Sequence, residues 1–268
     1  MTYALASINP FLAARSRRLV SPPWTEPKPA AHAKPVRKVL IGPATLYNGD
    51  CFDVMPRLEP VEGVVTDPPY GIGFKYRSYD DAPERYDILM WKLVPLLTRL
   101  SDGGPCFVWQ SPLKADKWHK YFPEDYRILA GCKLYPKRDG KQPCLSWDPI
   151  IFWSRKSRLW NEVPRDWHLV DLAPYDGYQG DNPVPCPRPL AQVEFICREI
   201  TAKSVLDPFM GSGTTGVACI NSGKHFVGIE QDPVYFEYAC ERIRKAWAAA
   251  SSLACTTRRP SSRSNINR

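Results

Sequence analysis

Nothing in this sequence approaches the roughly 18–20 consecutive apolar residues that a membrane-crossing helix needs; the longest candidate, residues 39–46, is interrupted and far too short. A soluble protein with no membrane partner is expected. The nine cysteines, an odd number, contain no Cys-x-x-Cys pair, and the four histidines stand at no ligand spacing. Neither a disulfide framework nor a zinc site is supported, so the expectation is scattered reduced thiols in a cytoplasmic protein without a metal. With 268 residues and 44% apolar content, there is chain enough for one sizeable α/β domain, or a domain with a small insert, and not for a second full domain.

Acidic residues are scarce at both ends. Residues 1–40 hold seven Lys/Arg against Glu26, and residues 251–268 hold four Arg and no acid, so the net +8 belongs to the tails and the middle is near neutral. Residues 1–38 mix six prolines with Ala, Ser and cations without a hydrophobic period, which predicts a disordered tail with at most a short helix at 11–20. Residues 251–268 read as a second disordered tail, which leaves 39–250 as the domain. Within the domain, residues 114–165 carry twelve Lys/Arg and six Asp/Glu, a candidate face for a polyanion. A solvated basic surface is the plainer alternative.

The chain is organised around Thr66-Asp67-Pro68-Pro69-Tyr70, which follows an apolar run at 61–65 and precedes Gly71-Ile72-Gly73. The run predicts a buried strand whose carboxyl end presents an acid and a ring, where open α/β sheets bind ligands. Two prolines fix φ and supply no N–H, so the turn is stiff. The Asp67 carboxylate and the Pro68 carbonyl could both accept from one exocyclic NH2, with Tyr70 offering a flat stacking face. A Pro-rich loop whose Asp caps the next element is the bland reading.

The second anchor is Ser204-Val205-Leu206-Asp207-Pro208-Phe209-Met210-Gly211-Ser212-Gly213-Thr214-Thr215. A short strand ends in an acid, glycines let the backbone approach a ligand, and a helix opens with free N–H donors. The next strand ends at Glu230, suited to accept from a ribose diol. This pattern describes a nucleoside-carrying cofactor. Gly211, Gly213 and Gly216 also satisfy GxGxxG spacing, so the glycines alone leave NAD open.

Between and around the anchors, the pattern predicts helices at 51–58, 86–100, 112–121, 190–200 and from 214 to 220. Strands are expected at 106–109, 126–134, 149–153 and 226–230. Asp50 reads first as a helix N-cap. The loop 74–79 interleaves rings with Lys75 and Arg77, and Lys137, Arg138 and Lys141 form a basic turn; both are candidate nucleic-acid contacts or ordinary mobile loops. Residues 154–185 are irregular, aromatic and basic, a candidate target-recognition segment or a long surface loop.

Taken together, Asp67-Pro68-Pro69-Tyr70 and Phe209-Met210-Gly211-Ser212-Gly213 resemble the catalytic and S-adenosylmethionine motifs of the DNA amino-methyltransferases, which make N6-methyladenine or N4-methylcytosine. The catalytic motif comes first, as in the circularly permuted beta group, and the resemblance covers roughly residues 39–250. It implies an α/β, Rossmann-like S-adenosylmethionine-dependent sheet with helices on both faces. It also implies catalysis by Asp67, Pro68, Pro69 and Tyr70, with the cofactor lined by Asp50, Asp207, Phe209, Gly211, Gly213, Thr214 and Glu230. Pro187-Arg188-Pro189-Leu190 resembles a segment that often reads Lys-Pro-Leu, with Arg188 in the lysine's place. The implied partner is double-stranded DNA with the target base flipped out onto Tyr70, in a prokaryotic or phage-host cytoplasm, with a homodimer admitted. The Asp67 form is typical of adenine enzymes and a serine there of the cytosine group, so adenine N6 is expected ahead of cytosine N4. A non-catalytic DNA-binding protein of the same fold is the alternative from another class.

Overall fold

Val64 and Val65 are neighbours in sequence, are both fully buried, and belong to different cores. Successive strand residues point to opposite faces, so a strand buried at every position must be covered on both sides. This is the state of β3 (Gly63–Thr66), in the middle of a mixed sheet. The computed structural model describes residues 36–137, 145–157, 159–162, 165–170 and 183–257. The expected helix at 11–20, much of the candidate recognition segment, and Arg138 and Lys141 lie outside the described residues.

Among the described residues nine strands form one sheet. In spatial order they are β1 (Arg37–Ile41), β2 (Ala44–Asn48), β9 (His225–Glu230), β8 (Ser204–Asp207), β3, β4 (Cys106–Trp109), β6 (Leu145–Trp153), β5 (Arg127–Lys137) and β7 (Trp167–Val170). The five strands from β2 to β4 are parallel, while β1 and β6 run against their neighbours. The helices α3 (Leu190–Glu199), α4 (Thr214–Asn221) and α5 (Pro233–Thr257) share a core with Val65, Val205 and Phe226. On the other face α1 (Cys51–Val54) and α2 (Pro83–Leu100) pack with Val64, Leu206 and Ile229. Each fully buried side chain of this size contributes about 1.5–3 kcal/mol, which is why the two layers hold the short strands in place. This is the expected Rossmann-like sheet with helices on both faces.

Several expectations need correction. Residues 112–121 do not form a helix: two 3-10 turns, Pro112–Lys114 and Trp118–Lys120, replace it. Trp118, Tyr121 and Phe122 are buried but Leu113 is 74% exposed, so the segment lacks the continuous stripe that would fix a helix against the sheet. The helix expected at 51–58 stops at Val54 and passes into a 3-10 turn, Met55–Arg57, where Pro56 offers no N–H to continue the ladder. Residues 39–46 divide into the β1–β2 hairpin around Gly42 and Pro43. β6 begins four residues before the expected 149, and β7 lies inside the stretch read as irregular. The first strand begins at Arg37 and the last helix ends at Thr257. No described helix is long and apolar enough to cross a membrane.

The sheet order reverses between β8 and β3. From β8 the chain moves outward through α4 to β9; from β3 it moves the other way through α2 to β4. Such a reversal opens a crevice at the carboxyl ends of the parallel strands. Asp67, Asp207 and Glu230 all stand at that edge. The β5–β6 hairpin overhangs it, because Trp109, the last residue of β4, is opposite Ile150, while β6 extends back to Leu145 and β5 on to Lys137.

Candidate active site

β3 and β8 are direct neighbours, with Val64 opposite Leu206, so two anchors about 140 residues apart in sequence leave the sheet side by side. Their first side chains are tied together: Thr66 Oγ1 donates to Asp207 Oδ1 at 2.8 Å. Asp207 also accepts from Thr215 Oγ1 at 2.6 Å and from the Phe209 N–H at 3.0 Å. Burial raises its pKa to about 6, against the pull of these donors. Asp207 therefore acts as a bracket joining β8, the glycine turn, α4 and β3.

The glycine turn wraps around Glu230. One carboxylate oxygen accepts from the Gly211 N–H at 3.0 Å and the other from the Asp232 N–H at 2.8 Å. A carboxylate offers about four acceptor positions, so this arrangement orients Glu230 and leaves capacity for a diol. Burial raises its pKa to about 7. Gly213 is the N-cap of α4 at φ +79, and a Cβ there would lie 3.0–3.1 Å from Ala239, so the turn requires glycine both for its dihedral and for its contact with α5. Asp50 caps α1 by accepting from the Phe52 N–H at 2.8 Å, and it also faces the cleft.

A cleft of about 1270 Å³ is lined from both anchors: Asp67, Pro69 and Tyr70 on one side, and Asp207, Phe209, Gly211, Thr214 and Glu230 on the other, with Asp50 at the margin. Pro68 and Gly213 are buried behind this wall. Lys75 and Arg77 do not line the cleft. Arg77 lies 3.4 Å from Asp232 Oδ2 and Gln231 Nε2 donates to the Ser78 carbonyl at 3.1 Å, so the loop 74–80 is drawn toward the end of β9, while Lys75 and Asp80 pair through their backbones within the loop. Its rings Phe74, Tyr76 and Tyr79 do reach the cleft. Lys137 ends β5 in the overhanging hairpin.

Four important residues carried little sequence signal. Asp81, 3% exposed, accepts from the Gly71, Ile72 and Phe74 N–H groups at 2.6, 3.1 and 3.1 Å and fixes the loop after Tyr70. Thr66 was read only as the end of a strand. Arg188 and Asp148 meet Asp67: Arg188 Nε donates to Asp67 Oδ2 at 2.6 Å, Nη2 to Asp67 Oδ1 at 3.1 Å, and Nη1 to Asp148 Oδ2 at 2.5 Å. The Tyr70 hydroxyl bonds to both Asp67 and Arg188. Burial alone would lower the Arg188 pKa, but Asp67, with Asp148, drives it above its usual value; burial drives Tyr70 up as well. Arg188 is thus firmly cationic. Its position was visible in the sequence only as a substitution beside two prolines.

Comparison with known proteins places this geometry among relatives. Residues 109–241 match the family model described as DNA methylase. Over 126 residues the chain is 41% identical to the type II methyltransferase M.SmaI of Serratia marcescens, covering 47% of this chain and 38% of that protein. Over 81 residues it is 35% identical to M2.MboI of Moraxella bovis, covering 30% and 29% respectively. The matched part of the chain therefore spans less than two-fifths of these relatives. Among solved structures, the M1.HpyAVI–SAM complex superposes with a TM-score of 0.58 at 22% identity, covering 75% of this chain and 98% of the other. The cytosine-N4-specific PvuII DNA methyltransferase superposes at 0.55 and 14% identity, covering 79% and 94%. At these identities the structural likeness is one of fold.

Proposed function

We propose that this chain is a DNA methyltransferase of the permuted beta type, transferring a methyl group from S-adenosylmethionine to the exocyclic N6 of adenine. One observation carries the reading: the Asp67 carboxylate and the Glu230 pocket share a cleft and are joined by the Thr66–Asp207 bond. The matched family model and the type II methyltransferase relatives point the same way.

The residues fit that cofactor. Glu230 has acceptor capacity for a ribose diol, Asp207 holds the turn, and the α4 terminus with Gly211 admits the backbone close to a ligand. When bound, the cofactor supplies an electrophilic methyl group on a sulfonium. Asp67 supplies the rest: an aromatic amine is a poor nucleophile because its lone pair is delocalised, and a carboxylate accepting its N–H bonds orients it and stabilises the positive charge that develops on nitrogen. The methyl group would replace one hydrogen of the amine held by Asp67, and that proton would leave for solvent. The base must leave the duplex to reach this depth, with Tyr70 as its stacking surface. Lys137, Arg138 and Lys141 are the basic residues this reading assigns to the DNA backbone.

Cytosine N4 is the second reading, favoured by the fold neighbour that is cytosine-N4-specific; Asp rather than Ser at position 67 favours adenine. Incubating the protein with labelled cofactor and unmethylated DNA, then digesting to nucleosides and weighing them, separates the two. Asp67→Ala should reduce transfer by at least 1000-fold while cofactor affinity stays within threefold. Retained transfer would remove Asp67 from the chemistry.

A further inference from the structure

In this structure the acceptor that a target amine would need is already taken. Both Asp67 oxygens accept from the Arg188 guanidinium, at 2.6 and 3.1 Å, and Oδ1 also receives the Tyr70 hydroxyl. A guanidinium is planar and presents its N–H donors as a fork, so it satisfies Asp67 much as an aminated ring edge would. It cannot stay there during the proposed reaction. It fills the hydrogen-bonding positions of the incoming amine, and its fixed positive charge opposes the positive charge that must develop on the attacking nitrogen.

Arg188 has a second seat. Its Nη1 donates to Asp148 on β6 at 2.5 Å, and its guanidinium carbon lies 5.6 Å from the centre of the Trp109 ring at the end of β4. Two acids thus share one cation, which can lose one partner without becoming an unpaired buried charge, the costly outcome for such a group. Asp67 directly follows β3 and Asp148 stands on β6, with β4 between these strands, so the side chain has a rigid anchor on either side.

We propose that Arg188 is an internal plug: it occupies Asp67 in the free protein and is drawn onto Asp148 when the target base enters, making Asp148 a positioning residue that holds the cation away from the reacting amine. This rests on the methyltransferase reading. It predicts a particular pattern of mutational coupling. Asp148→Asn weakens the second seat and leaves Arg188 on Asp67, so the single-turnover rate of methyl transfer should fall at least tenfold with cofactor affinity unchanged. Arg188→Gln in the Asp148→Asn background should recover the rate to within threefold of Arg188→Gln alone, because no plug remains to be moved.

The experiment is a single-turnover comparison of wild type, both single variants and the double variant with labelled cofactor and DNA, with thermal melting to confirm that each is folded. A double variant slower than Asp148→Asn would show that the cluster is only structural and would overturn the proposal, as would an Asp148→Asn rate equal to wild type. Wild type that transfers no methyl group to DNA would instead overturn the function reading, and the plug with it. If the Arg188 variants do not fold, wild type alone decides: the 15N-labelled Arg188 Nε–H resonance should move on adding a target oligonucleotide and a non-reactive cofactor analogue, and an unmoved resonance in the bound complex overturns the proposal.

Discussion

Glu230 is a carboxylate poised to titrate where the protein works. Burial holds its pKa at about 7, above the ordinary glutamate value, and its partners are two backbone N–H groups. A diol donating hydrogen bonds favours the ionised form, so cofactor affinity should rise from pH 6 to pH 8, level off above, and be accompanied by proton release. Calorimetry in buffers of different ionisation enthalpy measures both effects, and Glu230→Gln should flatten the profile. The same raised pKa makes folding stability fall as pH rises from the unfolded glutamate value toward 7, because the unfolded chain ionises first. At this scale the sequence was legible where an acid ended an apolar run, as at Asp67, Asp207 and Glu230. Asp148 carried no such mark, since it falls inside a strand of the overhanging hairpin and gains its meaning only from Arg188 across the cleft.

Among the elements, the loop that follows Tyr70 depends on a residue outside the motif. Asp81 satisfies three N–H groups with one carboxylate, and an unsatisfied buried donor costs about 1–3 kcal/mol. Asp81→Ala should lower stability to urea by about 2–3 kcal/mol and expose the loop at 71–80 to protease. Gly213→Ala should cost about 1–3 kcal/mol by urea melting, since it forces a side chain into a left-handed dihedral against Ala239. Helices with a full apolar stripe, such as α2 with Leu89, Leu93, Val94, Leu97 and Leu100 buried, were readable from spacing alone. The segment at 112–121 was not, because its helical spacing at Trp118, Tyr121 and Phe122 covers a single turn while Leu113 is exposed, and tertiary packing then decides the local backbone.

For the molecule as a whole, charge and fold are separable. Residues 1–35 and 258–268 carry nine cations and one acid. Removing both segments should weaken DNA binding and flatten its dependence on salt, while the single-turnover rate at saturating DNA stays within threefold. Fluorescence anisotropy across a salt series measures the slope. The order of the strands was not legible, since no local pattern says that β8 lies against β3; only the placing of two acid-ended strands in one crevice, through the resemblance, anticipated it.

That placement bears on how the protein is made. β3 needs β8 for one of its edges and β2 needs β9, yet these partners are encoded about 140 and about 180 residues later. A nascent chain halted before residue 204 would display open strand edges and only half of a crevice. Ribosome-stalled intermediates should therefore bind chaperones and no cofactor until β8 and β9 have been made.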